Sequence, residues 1–303
     1  MAMAEDGMRA GSRGARARAA TAHPRTTVLM DLRLQTYGIG LGLRLLARRR
    51  LVRGMRYVVV PVNYWRSLEY RLVLGECRFA TGERVLDVGS PKLLSLWVAE
   101  KVGARVVATD LEPYFIEEYE LLRRIRRVSE DRLRLGVQDA RRLDFEDASF
   151  HKVYSASVLE HIPDDGDTVA IRELARVLAP GGRCVVTVPF WPTSRTDWRA
   201  PDFYWSGATA DDATGRVFYQ RRYSEEDLRV RLIEPSGLRL AALRFVGDRI
   251  DAGRDRELCE FLPPATGPLQ PALARLLMTR PSDDWRTLRK PLCALIVLEK
   301  PAQ

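Results

Sequence analysis

The chain has 303 residues, 46% hydrophobic and 29% charged, the balance of a globular protein of one large domain or two small ones. No apolar run approaches the ~18 residues that cross a bilayer. The four cysteines are scattered with no Cys-x-x-Cys pair, so neither a zinc site nor a disulfide framework is expected. The net charge of +9 lies wholly in residues 1–56, which hold twelve arginines and three acids; the rest of the chain carries as many acids as bases. An enzyme that works on a polyanion gathers basic residues around its cleft. The distribution therefore argues against nucleic acid and for an appended electrostatic tether.

Residues 1–27 are rich in Ala, Gly, Arg and Thr and poor in large apolar side chains, the composition of a disordered tail. No apolar stretch follows the basic residues, so a secretory signal is not expected. Over 28–56, Leu41, Leu45 and Leu46 recur at helical spacing with Arg44, Arg48 and Arg49 between them, which predicts a cationic amphipathic helix weakened at its start by Gly38, Gly40 and Gly42. Such a helix either packs over a domain with solvated arginines or docks on an anionic membrane surface. A second helix is predicted over 63–77.

From Arg84 the pattern alternates. Strands are predicted at 84–89, 105–109, 132–137, 150–155 and 182–188, with helices at 92–101, 113–127 and 167–178. An irregular segment over 190–222, a helix over 224–235, a strand over 238–247, an insertion over 250–290 and a last strand over 292–299 complete the chain. Alternation of this kind predicts an α/β fold, a doubly wound and mostly parallel sheet with helices on both faces. Gly181-Gly182 marks the helix stop and turn before the fifth strand.

Three strand ends carry carboxylates. Val85-Leu86-Asp87-Val88-Gly89-Ser90 is an apolar run meeting an acid and a glycine, Asp110 closes the second strand, and Asp139 follows the third. An acid about 20 residues past a glycine turn is where dinucleotide folds hold ribose hydroxyls. The set, with Ala108-Thr109-Asp110-Leu111, Gly136-Val137-Gln138-Asp139-Ala140, the run from Phe150 through Ser155 to Glu160-His161, and Arg176-Val177-Leu178-Ala179-Pro180-Gly181-Gly182, resembles the class I S-adenosylmethionine-dependent methyltransferases over about residues 80–247 plus the last strand. The resemblance implies a Rossmann-like seven-stranded sheet with its last strand antiparallel and S-adenosyl-L-methionine as cofactor. Its cofactor-binding residues map onto Asp87, Gly89, Ser90, Asp110, Leu111, Asp139, Ala140 and Ser155.

Physical roles follow for several of these. Gly89 lacks a Cβ, so a ligand can approach the backbone. Asp87 suits the cofactor's ammonium, directly or through water, Asp110 the two ribose hydroxyls, Asp139 the adenine amine and the Ala140 amide a ring nitrogen. Each acid alone could instead cap the helix that follows it. The family's first motif has two or three glycines, whereas here Gly89 is followed by Ser90-Pro91, and Pro91 has no amide hydrogen to offer. A non-catalytic module of the same fold is therefore the alternative to an enzyme.

Methyl transfer from a sulfonium asks mainly for orientation and a dry site, with a base only where the acceptor arrives protonated. His161, after the fourth strand, is the candidate for that base; orienting the local turn is its other reading. Too few further Glu or His ligands surround Glu160-His161 for a metal, and none is expected. Aromatics crowd the segment after the fifth strand (Phe190, Trp191, Trp198, Phe203, Tyr204, Trp205), suiting an apolar acceptor or a small local core. The apolar segment Pro268–Met278 could form a lid or touch lipid.

The expected organisation is a basic tail over 1–27, a helical segment over 28–80 and a methyltransferase-like domain over 81–303 with insertions at 190–222 and 250–290. The expected activity is methyl transfer to a small, hydrophobic or lipid-like acceptor by a cytoplasmic protein that touches anionic membrane through residues 28–56. Acceptor atom and oligomeric state stay open.

Overall fold

The computed structural model describes residues 24–89, 92–200, 214–251, 253 and 258–302. The expected tail over 1–27 falls outside these except for its last four residues, which already belong to a helix.

The central sheet has seven strands in the order β3-β2-β1-β4-β5-β9-β8. These are β1 (Arg84–Val88), β2 (Arg105–Asp110), β3 (Leu133–Val137), β4 (Phe150–Ala156), β5 (Leu178–Pro189), β8 (Arg239–Asp248) and β9 (Lys290–Glu299). The first five run parallel, and β9 lies antiparallel to both β5 and β8. Successive side chains of a strand face opposite ways, so the sheet feeds two cores. Val85, Tyr154, Val185, Leu295 and Val297 enter one, while Leu86, Val153, Val186, Ala294 and Ile296 enter the other. Full burial of each such aliphatic side chain contributes roughly 1.5–3 kcal/mol.

The first core is covered by α1 (Pro24–Ala47), α3 (Tyr64–Cys77), α4 (Lys92–Trp97, continued as a π-helical turn to Val102), α5 (Pro113–Arg126) and α9 (Gln270–Leu277). The second is covered by α6 (Gly166–Val177) and by a helical run made of α7 (Glu225–Asp227), a π-helical stretch Leu228–Ile233 and α8 (Glu234–Ser236). Cys77, Cys184 and Cys293 are buried.

The N-terminal segment differs from its expected form. In place of one helix over 28–56 there is a helical hairpin, α1 and α2 (Leu51–Val59), broken at Arg48–Arg50 with Arg49 at φ 59°. Gly42, one of the glycines read as weakening the helix, instead lets it pack against α2. A Cβ on Gly42 would stand 2.8 Å from the Gly54 carbonyl oxygen, and one on Gly54 would stand 2.7 Å from the Leu46 side chain. Leu34, Tyr37, Leu41 and Leu45 of α1 join the same core as the sheet, so residues 28–80 share a core with the domain. Tyr37 also donates to Glu100 Oε2 at 2.7 Å, and the Arg126 guanidinium lies 4.3 Å over its ring.

Two further segments depart from expectation. β5 begins at Leu178, and its pairing with β4 slips at the Gly181-Gly182 turn. The segment over 190–222, read as irregular, contains the antiparallel pair β6 (Arg195–Arg199) and β7 (Val217–Arg222). The 250–290 insertion packs back on the hairpin; a Cβ on Gly267 would stand 2.0 Å from the Val59 carbonyl oxygen.

Candidate functional site

The strand order reverses between β1 and β4. Their carboxyl ends diverge there, which is where open α/β sheets bind ligands. Gly89 sits at that point with φ 65°. Its amide is committed to the Thr109 carbonyl at 2.8 Å, and an added Cβ would meet Val158 Cγ1 at 2.8 Å. The absent side chain thus lets the β1 turn close on the turn after β4, a different close approach from the ligand contact expected for it. Ser90 lies outside the described residues.

The tips of β1, β2 and β3 are side by side, with Val88 opposite Thr109, Asp110 opposite Val137, and the Gln138 amide donating to the Asp110 carbonyl at 3.0 Å. Asp110 is half-buried at its tip and receives the Glu112 amide on Oδ1 at 3.1 Å. Leu111 beside it is 44% exposed. A carboxylate next to an exposed apolar side chain, on a tip flanking the switch point, fits a ribose and the face of an adenine.

The other candidates are placed differently. Asp87 is fully buried, accepting from Ser95 Oγ of α4 and from Tyr119 at 3.4 Å; Ser95 in turn lies 3.0 Å from the Tyr154 hydroxyl. These hydroxyls hold the carboxylate inside the core, where it fixes the strand against α4 and α5, so of the two routes expected to a ligand ammonium the direct one is closed in this arrangement. Ser155 is likewise buried and donates to the Val88 carbonyl at 3.2 Å, which ties β4 to β1. Asp139 is gripped by Arg141, whose Nη2 lies 2.7 Å from Oδ2 and whose amide lies 2.9 Å from Oδ1. These hydrogen bonds hold its carboxyl below the usual range against the opposing effect of burial. An adenine amine would have to displace that guanidinium. Ala140 is buried at the rim of the second core. A separate cavity of about 150 Å³ beside β3, lined by residues such as Val107, Arg134 and Phe145, contains none of the candidate side chains.

On the far side of the switch point lies a polar cluster that sequence reasoning identified only at His161. A 3-10 turn (Leu159–His161) follows β4 and places His161 against β7. Its Nδ1 is 2.7 Å from the Tyr219 carbonyl oxygen, and its ring meets the Tyr219 ring edge-on at 5.1 Å. A carbonyl can only accept, so the ring proton sits on Nδ1 and Nε2 is the basic nitrogen. Burial lowers the His161 pKa; the Tyr219 carbonyl opposes that shift, and the cations Arg66 and Arg199 add to it.

Nε2 lies 3.7 Å from Glu160 Oε1. Glu160 is 1% exposed, and its Oε2 has no hydrogen-bond partner among the described residues. From α3, fully buried Glu69 accepts from Arg66 at 2.5 Å, from Ser157 and from Thr187 at 3.2 Å. The Trp65 indole reaches Ser157 Oγ at 3.5 Å. Nothing in the sequence marked this pair, because Arg66 and Glu69 at i and i+3 read as an ordinary solvated helix pair.

Burial and the neighbouring Glu69 push the Glu160 carboxyl up to about 8, against the pull of Arg66. Between its ordinary value of 4.5 and 8 the folded protein holds a proton that the unfolded chain has released, so stability should fall as pH rises through that window. Glu160→Gln should flatten this slope in urea titrations run from pH 5 to 8. Parallel curves for the two proteins would show that Glu160 is ionised.

The sequence model of a family described as a methyltransferase domain matches residues 86–186. The fold is that of the class I S-adenosylmethionine-dependent methyltransferases. Among curated relatives of this methyltransferase-fold chain, a methyltransferase, GfsG, of Streptomyces halstedii is 34% identical over 110 residues, covering 35% of this chain and 38% of that protein. A ubiquinone biosynthesis O-methyltransferase of Xanthomonas oryzae pv. oryzae is 36% identical over 102 residues, covering 34% of this chain and 41% of that protein. The matches thus span well under half of either relative. Among solved structures, the [4+2]-cyclase SpnF superposes with a TM-score of 0.52 at 21% identity, over 80% of this chain and 88% of that one. MccD protein superposes with a TM-score of 0.52 at 13% identity, over 79% and 99%. At these identities the structures show a shared fold alone.

Proposed function

We propose that the protein transfers the methyl group of S-adenosylmethionine to a hydroxyl of a small, apolar acceptor. The observation that carries this reading is His161, held at Nδ1 by the Tyr219 carbonyl so that Nε2 is basic at the end of β4. The cofactor supplies an electrophilic methyl on a sulfonium. Asp110 would hold its ribose and Leu111 would pack on its adenine. His161 Nε2 would take the proton of the acceptor hydroxyl as that oxygen is methylated. Trp65 and Tyr219 give the acceptor aromatic surface. The names of two relatives support an apolar, hydroxyl-bearing acceptor: the ubiquinone biosynthesis O-methyltransferase and a tocopherol O-methyltransferase of Arabidopsis thaliana.

Calorimetric titration with S-adenosylhomocysteine tests the cofactor half. A hydrogen bond to a charged group is worth about 1.5–3 kcal/mol, so Asp110→Ala should weaken binding by about 10- to 100-fold, with an unchanged melting curve before ligand is added. Equal affinity in wild type and variant would remove Asp110 from the site. A second reading, a protein of this fold that does not methylate, is favoured by the single glycine before Ser90-Pro91. Cofactor binding without methylated product in mass-spectrometric screens of apolar hydroxylated compounds would support it.

A further inference from the structure

Seven of the seventeen large apolar side chains that stand exposed among the described residues fall within residues 28–55. They concentrate at the tip of the α1–α2 hairpin, where Leu43 is 56% exposed, Leu51 65%, Val52 87% and Met55 49%. This is a consequence of how α2 packs. Gly54 and Val58 turn inward against Leu46 and Gly42. At 100° per residue, Val52 and Arg56 then fall on the opposite side with Met55 at the flank, while Leu51 is exposed because it opens the helix at the tip.

The same tip carries Arg44, Arg48, Arg49, Arg50, Arg53 and Arg56, and no acid occurs between Asp31 and Glu69. None of the six makes an ion pair among the described residues; the side chains of Arg44 and Arg48 bond only to carbonyls of α1. The body of the protein treats its arginines otherwise: Arg126, Arg141, Arg176 and Arg231 all face carboxylates. Six like charges on one tip repel one another, so they add nothing to the fold. An apolar knob ringed by arginine is the arrangement that binds an anionic interface, with the knob entering the acyl boundary and the guanidinium groups at the headgroups.

We propose that the α1–α2 tip docks the protein on an anionic lipid surface, with Leu51, Val52 and Met55 inserted and the arginines of 44–56 on the phosphates. No helix of the described residues is long and apolar enough to cross a membrane, so the contact is with one leaflet. Charge complementarity selects this occupant. A nucleic acid matches the arginines but leaves the apolar knob in water, and a second copy meeting the same tip brings arginine against arginine. The inference stands independently of the proposed methylation.

The test is sedimentation of the full chain with vesicles of phosphatidylglycerol or of phosphatidylcholine. Binding to phosphatidylglycerol alone is expected, weakening as salt rises. Arg49→Ala with Arg50→Ala should lower the partition coefficient by about 25-fold, at about fivefold per arginine, and Val52→Glu should lower it at least about 10-fold. All three positions are exposed, so melting curves should match wild type. Equal binding to neutral vesicles, or binding unchanged in both variants, would overturn the proposal. So would self-association in the ultracentrifuge that Val52→Glu abolishes without any vesicle binding, or binding to RNA in preference to vesicles.

Discussion

Replacing His161 by Asn should lower turnover by about 10²- to 10⁴-fold, the usual contribution of a positioned general base, while leaving KM for the acceptor close to wild type. The group acts on the proton that leaves during the reaction, so its loss is felt in the transition state more than in binding. Its pKa is lowered by burial, opposed by the Tyr219 carbonyl and reinforced by Arg66 and Arg199. The imidazole is therefore neutral at physiological pH. The active form is the unprotonated one, so the rate should fall as pH drops through the His161 pKa, and that acid limb should lie below the ordinary histidine value of about 6.5. In His161→Asn the acid limb should vanish, and raising the pH should recover part of the rate as the acceptor hydroxyl ionises by itself. A residue that only shaped the turn would leave the limb in place. A variant with wild-type turnover and an unshifted pH profile would show that the acceptor needs no base.

The largest expected loss of stability is at Asp167. This carboxylate opens α6, is fully buried, and accepts from Arg221 at 3.0 Å, from Arg231 at 2.7 and 2.9 Å, and from the Tyr223 hydroxyl at 2.8 Å. Asp167→Ala leaves two poorly hydrated guanidinium groups without their shared anion. Breaking a buried pair from one side costs about 3–5 kcal/mol, a fall in melting temperature on the order of 10 °C for a domain of this size. Arg221 belongs to β7, which also carries the Tyr219 carbonyl beneath His161. The variant should therefore lose activity below its melting point as the histidine loses its anchor. Asp167→Asn, which keeps the shape and part of the hydrogen bonding, should fall between the two. A melting temperature within a degree or two of wild type would show that water replaces the carboxylate.

The hairpin that holds His161 was not visible in the sequence. β6 reads Arg-Thr-Asp-Trp-Arg, and its charged residues find their partners across the strand pair, as Asp197 does with Arg222 at 2.7 Å and Gln220 at 2.8 Å. With no apolar alternation, a strand of this kind is recognisable only once its partner is in place. The break between α1 and α2 was hidden for a related reason. Arg48–Arg50 continues the helical pattern, and only the close crossing of Gly42 on Gly54 shows that the chain turns back. The aromatics Phe203, Tyr204 and Trp205 lie outside the described residues, while Phe190 is core, packed on Phe245 at 4.6 Å.

The amino-acid order by itself determined the alternation of strand and helix from Arg84 onward and the position of Asp110 and His161 at strand ends. Those features are written in local periodicity and turn chemistry, which neighbouring residues suffice to express. Tertiary structure alone decided which acids face inward. Asp87 turns to Ser95 and Tyr119, Asp139 to Arg141, and Glu69 from a distant helix comes to rest beside Glu160. Burial and charge pairing depend on what other segments bring to the same place, and a carboxylate acquires its protonation state, and with it its chemistry, from those neighbours.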